Sequence, residues 1–298
     1  MFDVNHVVAA VDFSPATEPL LECLSELRSV GMETVTLMHV LEMHYGRRPP
    51  VEHREMYEDM LSSRAEQLRG KGVAVHTHLE TGPSAPRIVD YAEDEEADLI
   101  LMASRGHNLL QRLLLGSTAT EVMRTTTVPV LLDRIEPAEG DGNARCSGVC
   151  DKKFRRPLLA TDLSDSAEGA EEAALGLTEQ AESAVFMTVR DAQDSDVSAG
   201  AVRTELEALA ERAACPTAVR VEQGRAASAA IAEGADAEDS TVLIVGKHGR
   251  GYLEEQVVGS TADALIKRAQ RPVLMVPTAA ARSRRDAATK AAAATPSA

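Results

Sequence analysis

The chain has 298 residues, 44% of them hydrophobic and 26% charged, a length that suits two domains with a core each. A formal net charge of −16 repels phosphate backbones at long range, which excludes nucleic acid as an expected partner. Aromatics reach only 3%, with no Trp, so the cores are built from Val, Leu, Ile, Ala and Met.

The chain opens on Met1-Phe2-Asp3-Val4, without a basic segment leading into an apolar one, and this sets the expectation of a cytoplasmic protein. No apolar run reaches the roughly 18 residues of a membrane helix. The first apolar run is Val7-Val8-Ala9-Ala10-Val11, closed by Asp12-Phe13-Ser14. Leu20, Leu24 and Leu27 follow at helical spacing, then the run Val35-Thr36-Leu37-Met38-His39-Val40. Met56, Met60 and Leu61 fall at helical spacing and predict a second amphipathic helix. His76 and His78 share one face of the next strand, where an exposed edge is a better reading than a metal pair. Ile88 with Ala92 marks a third helix, and Leu99-Ile100-Leu101-Met102 a further strand ending in Ala103-Ser104-Arg105-Gly106. Gly116-Ser117 opens a helix carrying Ala119, Val122 and Met123, and Val128-Pro129-Val130-Leu131-Leu132 forms the last run of this half.

The same series then recurs. Pro157-Leu158-Leu159-Ala160-Thr161-Asp162-Leu163-Ser164 repeats the first run, and Val185-Phe186-Met187-Thr188-Val189 the second. Val242-Leu243-Ile244-Val245-Gly246-Lys247-His248-Gly249, Gly259-Ser260-Thr261-Ala262 and Pro272-Val273-Leu274-Met275-Val276 complete five matches in one order. Short apolar runs without polar alternation are strands buried on both faces, and amphipathic segments between them are crossover helices. The expected fold is therefore α/β: two tandem, doubly wound, Rossmann-like domains, each with a five-stranded parallel sheet. The first covers 1–133 and the second 157–278, joined by a linker over 134–156 and followed by a disordered tail over 279–298. Lys152-Lys153-Phe154-Arg155-Arg156 reads as a solvated linker end, and the four cysteines, Cys146 and Cys150 in the linker among them, as incidental thiols.

Chemistry concentrates in the second repeat. Gly246-x-x-Gly249, nine further residues and Gly259-Ser260 place two glycines at the carboxyl end of a buried strand and two residues at the mouth of a helix. Glycines there let main-chain N–H groups approach a polyphosphate, and the helix N-terminus adds free donors and a positive dipole end. Ser260 either caps that helix or donates to a phosphate oxygen. Asp162 ends the first strand of the repeat, where a carboxylate either accepts from an adenine amino group or, with Ser164, caps the following helix. Arg250 and Lys247 are better phosphate neighbours by charge than His107 and His248.

With these residues the chain resembles the universal stress protein family in its tandem form, over nearly all of 4–277. The pattern of that family's ATP-binding members, Gly-x-x-Gly-x9-Gly-Ser/Thr, falls on Gly246, Gly249, Gly259 and Ser260. The resemblance implies an adenine nucleotide alpha hydrolase-like fold and a bound ATP, usually with a divalent cation such as Mg2+. It implies adenine against Asp162, the base edge on the backbone of Val189, and association of domains through their last strands. Those strands, Val128–Leu132 and Val273–Val276, are expected to pair within the chain, with a homodimer built on the result.

The expected nucleotide-binding set is Asp162, Ser164, Val189, Gly246, Gly249, Arg250, Gly259, Ser260 and Thr261 in the second repeat. In the first it is Asp12, Val40, Gly106, Gly116 and Ser117. Ala103 stands where the first loop glycine would be, and its methyl puts binding in the first repeat in question, above all if φ is positive there. Neither a G-x-x-x-x-G-K-[ST] loop nor an H-x-G-H segment after the first strand is present, so no catalytic or metal-ligating residue is expected. Three functions stay open: a regulatory ATP-binding stress protein with an unidentified protein partner, a slow ATPase or self-phosphorylating protein using Ser260 or Thr261, and an interaction module without nucleotide.

Overall fold

The computed structural model describes residues 4–42, 51–104, 115–137, 144–146, 152–190, 198–224, 226–249 and 258–278. The expected tail and the residues Arg250, Gly106, His107 and Cys150 lie outside them. The first half runs β1 (His6–Ala10), α1 (Thr17–Glu22) continued as a 3-10 segment over Cys23–Val30, β2 (Thr34–Leu41), α2 (Val51–Arg69) and β3 (Ala74–Thr81). It continues with α3 (Ser84–Asp94), β4 (Leu99–Ala103), α4 (Ser117–Thr125) and β5 (Val130–Asp133). After a short antiparallel hairpin, β6 (Ile135–Pro137) with β7 (Ala144–Cys146), the second half opens on β8 (Pro157–Ala160), α5 (Glu168–Leu177), β9 (Ala184–Arg190) and α6 (Ala199–Ala210). It closes with β10 (Thr217–Gln223), α7 (Ala227–Ala237), β11 (Val242–Gly246), α8 (Ser260–Arg268) and β12 (Val273–Val276).

The two halves form a single ten-stranded sheet, in the order β10-β9-β8-β11-β12-β5-β4-β1-β2-β3. Within each half the five strands are parallel. The halves meet at an antiparallel seam where Val273 pairs with Leu132, Leu274 with Leu131 and Met275 with Val130. The expected pairing of the last strands is thus made inside one chain. Helices cover both faces, which is why the strands are apolar throughout: one core layer holds Leu131, Leu274 and Phe186, the other Val130, Leu132, Val273 and Met275.

Local sequence accounts for most element bounds. The 3-10 segment stops at Gly31, which takes a left-handed φ of 102° that a side chain would oppose. The core stripe of α2 is Leu61, Ala65 and Leu68, with Tyr57 one turn earlier, at i, i+4 and i+7 spacing. Met56, expected in that stripe, is 46% exposed because it precedes the stripe by one residue, or about 100° of helix. The edge strand β3 carries exposed His76 and half-buried His78, the latter stacked on Tyr91 at 4.1 Å and bonded to Glu80. The opposite edge, β10, carries Arg220, which pairs with Glu222 at 3.2 Å and Glu238 at 3.1 Å.

Two expectations are corrected. Lys153 and Phe154 are not a solvated end: they are 5% and 6% exposed, and the Lys153 Nζ lies 2.7 Å from Asp133 and 3.9 Å from Glu26. The ammonium is drawn inward because Asp133, fully buried at the end of β5, needs a counter-charge. Phe154 meanwhile fills the core layer shared with Leu159 and Leu177. Nor are all four thiols incidental. Cys23, buried where α1 passes into the 3-10 segment, is disulfide-bonded, while Cys215 is free.

Replacing Lys153 by Met leaves the Asp133 carboxylate buried without its cation, at a cost of about 3–5 kcal/mol. Urea denaturation of Lys153→Met should show that loss, and Lys153→Met combined with Asp133→Leu should recover most of it.

Candidate functional site

In each half the first strand sits between the second and the fourth, so crossovers leave it in opposite directions. The loops after the first and fourth strands diverge there, and they open a crevice at the carboxyl rim. Asp12 follows β1 and Asp162 follows β8, while Ala103 ends β4 and Gly246 ends β11. Because the halves are antiparallel to each other, the two crevices open on opposite rims of the sheet.

The crevice of the second half is a cavity of about 660 Å3. It brings together Asp162, Val189, Gly246, Gly249, Gly259, Ser260 and Thr261, residues drawn from four separate segments. Ser164 is absent from the lining. Its role is one step back: its N–H and hydroxyl both donate to Asp162 Oδ1, at 3.1 and 2.6 Å. Leu163 adopts a left-handed φ of 57° to make that turn. Asp162 therefore does not cap the next helix, whose N-cap is Ala167 with no side-chain bond. Nor does Ser260 cap α8. Gly259 is the N-cap and has no side chain to bond the first-turn N–H groups of α8 at the cavity wall.

The glycines have a steric role within the protein itself. A Cβ on Gly249 would stand 2.5 Å from Asp162 Oδ2, and one on Gly246 would stand 3.1 Å from the carbonyl of His248. One on Gly259 would meet the carbonyl of Lys247 at 3.3 Å. The 246–249 turn lies close to itself, to Asp162 and to Gly259, so the missing Cβ atoms make room for protein. The main-chain bonds agree: Gly259 N–H donates to Lys247 O at 2.8 Å, and Lys247 N–H donates to Val276 O at 2.9 Å.

The first half has a matching cavity of about 710 Å3, lined by Asp12, Val40, Ala103, Gly116 and Ser117 among others. Asp12 Oδ1 accepts from Ser14 N–H at 3.0 Å, with Phe13 at a left-handed φ of 56°, repeating the Asp162 turn. Gly116 is the uncapped N-cap of α4, held by its N–H to Ser104 O at 3.0 Å. The four non-glycine residues at positive φ among the described residues are Phe13, Glu96, Leu163 and Asp239. Ala103 is therefore unstrained, and its methyl packs with Ala16 and Ile135.

The universal stress protein family model matches this chain twice, over residues 4–134 and 153–277. The chain belongs to the universal stress protein family. A universal stress protein of Mycobacterium tuberculosis is 25% identical over 271 residues, 81% of this chain and 86% of its own length. One of Bacillus subtilis is 33% identical over 146 residues, 44% of this chain and 99% of its own. Two further relatives, from Methanocaldococcus jannaschii and Synechocystis, are matched over only 36% and 23% of their own length. Among solved structures, a universal stress protein from Archaeoglobus fulgidus superposes with a TM-score of 0.68 at 23% identity, covering 92% of this chain and 99% of its own.

Some of this universal stress protein's site residues escape sequence reading. His39 is buried in β2 and its Nδ1–H donates to Val11 O at 2.7 Å. It stacks on Tyr57 at 4.6 Å and meets the edge of Phe13 at 4.9 Å, and His39 and Tyr57 line the first cavity. In the second cavity Arg190, 7% exposed, brings buried positive charge, and its only signal was its place one residue beyond Val189. Lys247, named from the sequence as a phosphate neighbour, lines the cavity but carries its Nζ away to the carbonyl of Thr126 at 3.0 Å.

Behind Asp162, Thr161 donates its hydroxyl to Glu171 Oε1 at 2.5 Å and accepts the Leu163 N–H at 2.9 Å, which fixes the turn. Burial raises the Glu171 carboxyl above its ordinary 4.5, and the nearby Asp162 carboxylate pushes the same way against the Thr161 bond. The native state thus holds its proton to higher pH than the unfolded chain does. The stability from this group is complete below 4.5 and is lost as pH rises through the native value. Melting temperatures measured between pH 7 and pH 5 should therefore change less favourably on acidification in Glu171→Gln than in the parent protein.

Proposed function

We propose that this protein binds an adenine nucleotide, ATP with a divalent cation such as Mg2+, chiefly in the second repeat, and acts as a regulatory stress protein through that occupancy. The observation that carries this reading is the meeting of two unlike partners in one cavity of about 660 Å3. At one side Asp162 offers a carboxylate suited to an adenine amino group. At the other, the uncapped start of α8 offers N–H donors and a positive dipole end to phosphates. A volume of that size suits one mononucleotide.

The charge lining supports the order of preference. The second cavity sets Arg190 against Asp162, whereas the first sets Asp12 and Glu42 among His39 and His53. A triphosphate is attracted more strongly to the former. The first cavity keeps the shape of the site, and Ala103 is no obstacle to filling it. Among the described residues no three acidic, His or Cys side chains cluster to cage a metal, so the cation would be carried by the phosphates and water. Val189 supplies main chain at the base edge, and Ser164 holds Asp162 in place by two hydrogen bonds.

Hydrolysis is the weaker reading. Among the described residues lining the cavity Asp162 is the acid, and its Oδ1 is engaged by Ser164. Isothermal calorimetry with Mg-ATP should give submillimolar binding to the parent protein. Asp162→Ala should weaken it about tenfold, as loss of a hydrogen bond to a charged group does. Unchanged affinity in that variant, or no heat in the nucleotide-free parent, would falsify the assignment.

A further inference from the structure

Lys247 touches both halves of the molecule. Its carbonyl holds Gly259, the start of α8 in the second cavity. Its side chain leaves that cavity and crosses the seam, where Nζ donates at 3.0 Å to the carbonyl of Thr126, the C-cap of α4. Lys247 and Thr126 are 2% and 0% exposed. The start of α4, at Gly116 and Ser117, is a wall of the first cavity. A cation on the last carbonyls of a helix reinforces the same dipole whose positive end faces an anion at the other terminus. The distance spanned by α4 is about 13 Å at 1.5 Å per residue.

The reverse connection is also present. Arg134 directly follows β5, and its guanidinium donates to the carbonyl of Ile266 in the last turn of α8. Asp133, its neighbour, accepts the Ser104 N–H at 2.7 Å, and the Ser104 carbonyl in turn holds Gly116. Each half therefore closes the far end of the helix that opens on the other half's cavity.

We propose that occupancy of the two cavities is positively coupled through Lys247, so that a nucleotide in the second repeat tightens binding in the first. This rests on the nucleotide reading given above. A ligand that fixes the 246–249 turn fixes the Lys247 backbone, and thereby holds its ammonium on Thr126. The first ligand then bears the ordering of α4, and the second meets a helix already held at its far end.

The chain has no Trp, so Tyr57→Trp places a single fluorescent reporter in the wall of the first cavity. In that background Mg-ATP is titrated into the parent, into Gly249→Val, whose side chain falls on Asp162 and closes the second cavity, and into Lys247→Met. The reporter midpoint should rise about fivefold or more in each variant. In the double variant it should rise no further, since both changes cut one link. Lys247→Gln takes the place of the methionine variant if circular dichroism shows the latter unfolded, and the Gly249→Val arm is independent of either. Equal midpoints in all proteins, or a shift in Gly249→Val alone, overturn the coupling while leaving nucleotide binding intact. Absence of any calorimetric binding in the parent overturns the nucleotide reading and the coupling together.

Discussion

The antiparallel seam between β5 and β12 is the constraint on which the rest of the molecule depends. Three paired positions, Leu132 with Val273, Leu131 with Leu274 and Val130 with Met275, are at most 1% exposed and contribute to both core layers. Burying them removes two apolar edges and turns a pair of five-stranded sheets into one. It also fixes the direction of everything attached. With the strands of the two halves opposed, α4 and α8 each begin at one rim of the sheet and end at the other. Lys247 and Arg134 meet those helix ends, and they can do so only in this arrangement.

Around the rim, the site is made by close approach of main chain to main chain. A Cβ on Gly249 would strike Asp162, and one on Gly246 or Gly259 would press on the carbonyl of His248 or Lys247, before any ligand is considered. The consequence is a cavity formed in advance, with Asp162 oriented by Ser164 and its turn braced by Thr161 and Glu171. Such preorganisation reduces the ordering that binding requires.

The strands and their order were legible because parallel strands covered on both sides read as unbroken apolar runs, and the repeat gave each run a second witness. Asp162, Gly246 and Ser260 could be placed at one rim by connectivity alone. What the sequence withheld depends on partners far along the chain. Nothing near Lys153 announces that Asp133 waits for its charge, and nothing near His39 announces Tyr57. The sign of φ at Ala103, which decides whether its methyl is tolerated, is a property of the folded loop. The hairpin of β6 and β7 lies in a stretch rich in Gly, Asp and Ala that carries no strand periodicity. Met56 was misplaced because one residue's offset on a helix turns a side chain by 100°.

With the inner edges joined, β3 and β10 are, among the described residues, the outer borders of the sheet. Both are polar for much of their length, with His78 on Glu80 along one and Arg220 on Glu222 and Glu238 along the other. A neighbouring molecule adding itself strand to strand would have to strip water from these charges, and ribbon-like growth of the sheet is disfavoured. The polar borders that end the sheet at ten strands thus carry the same edge protection that the seam gives by burial.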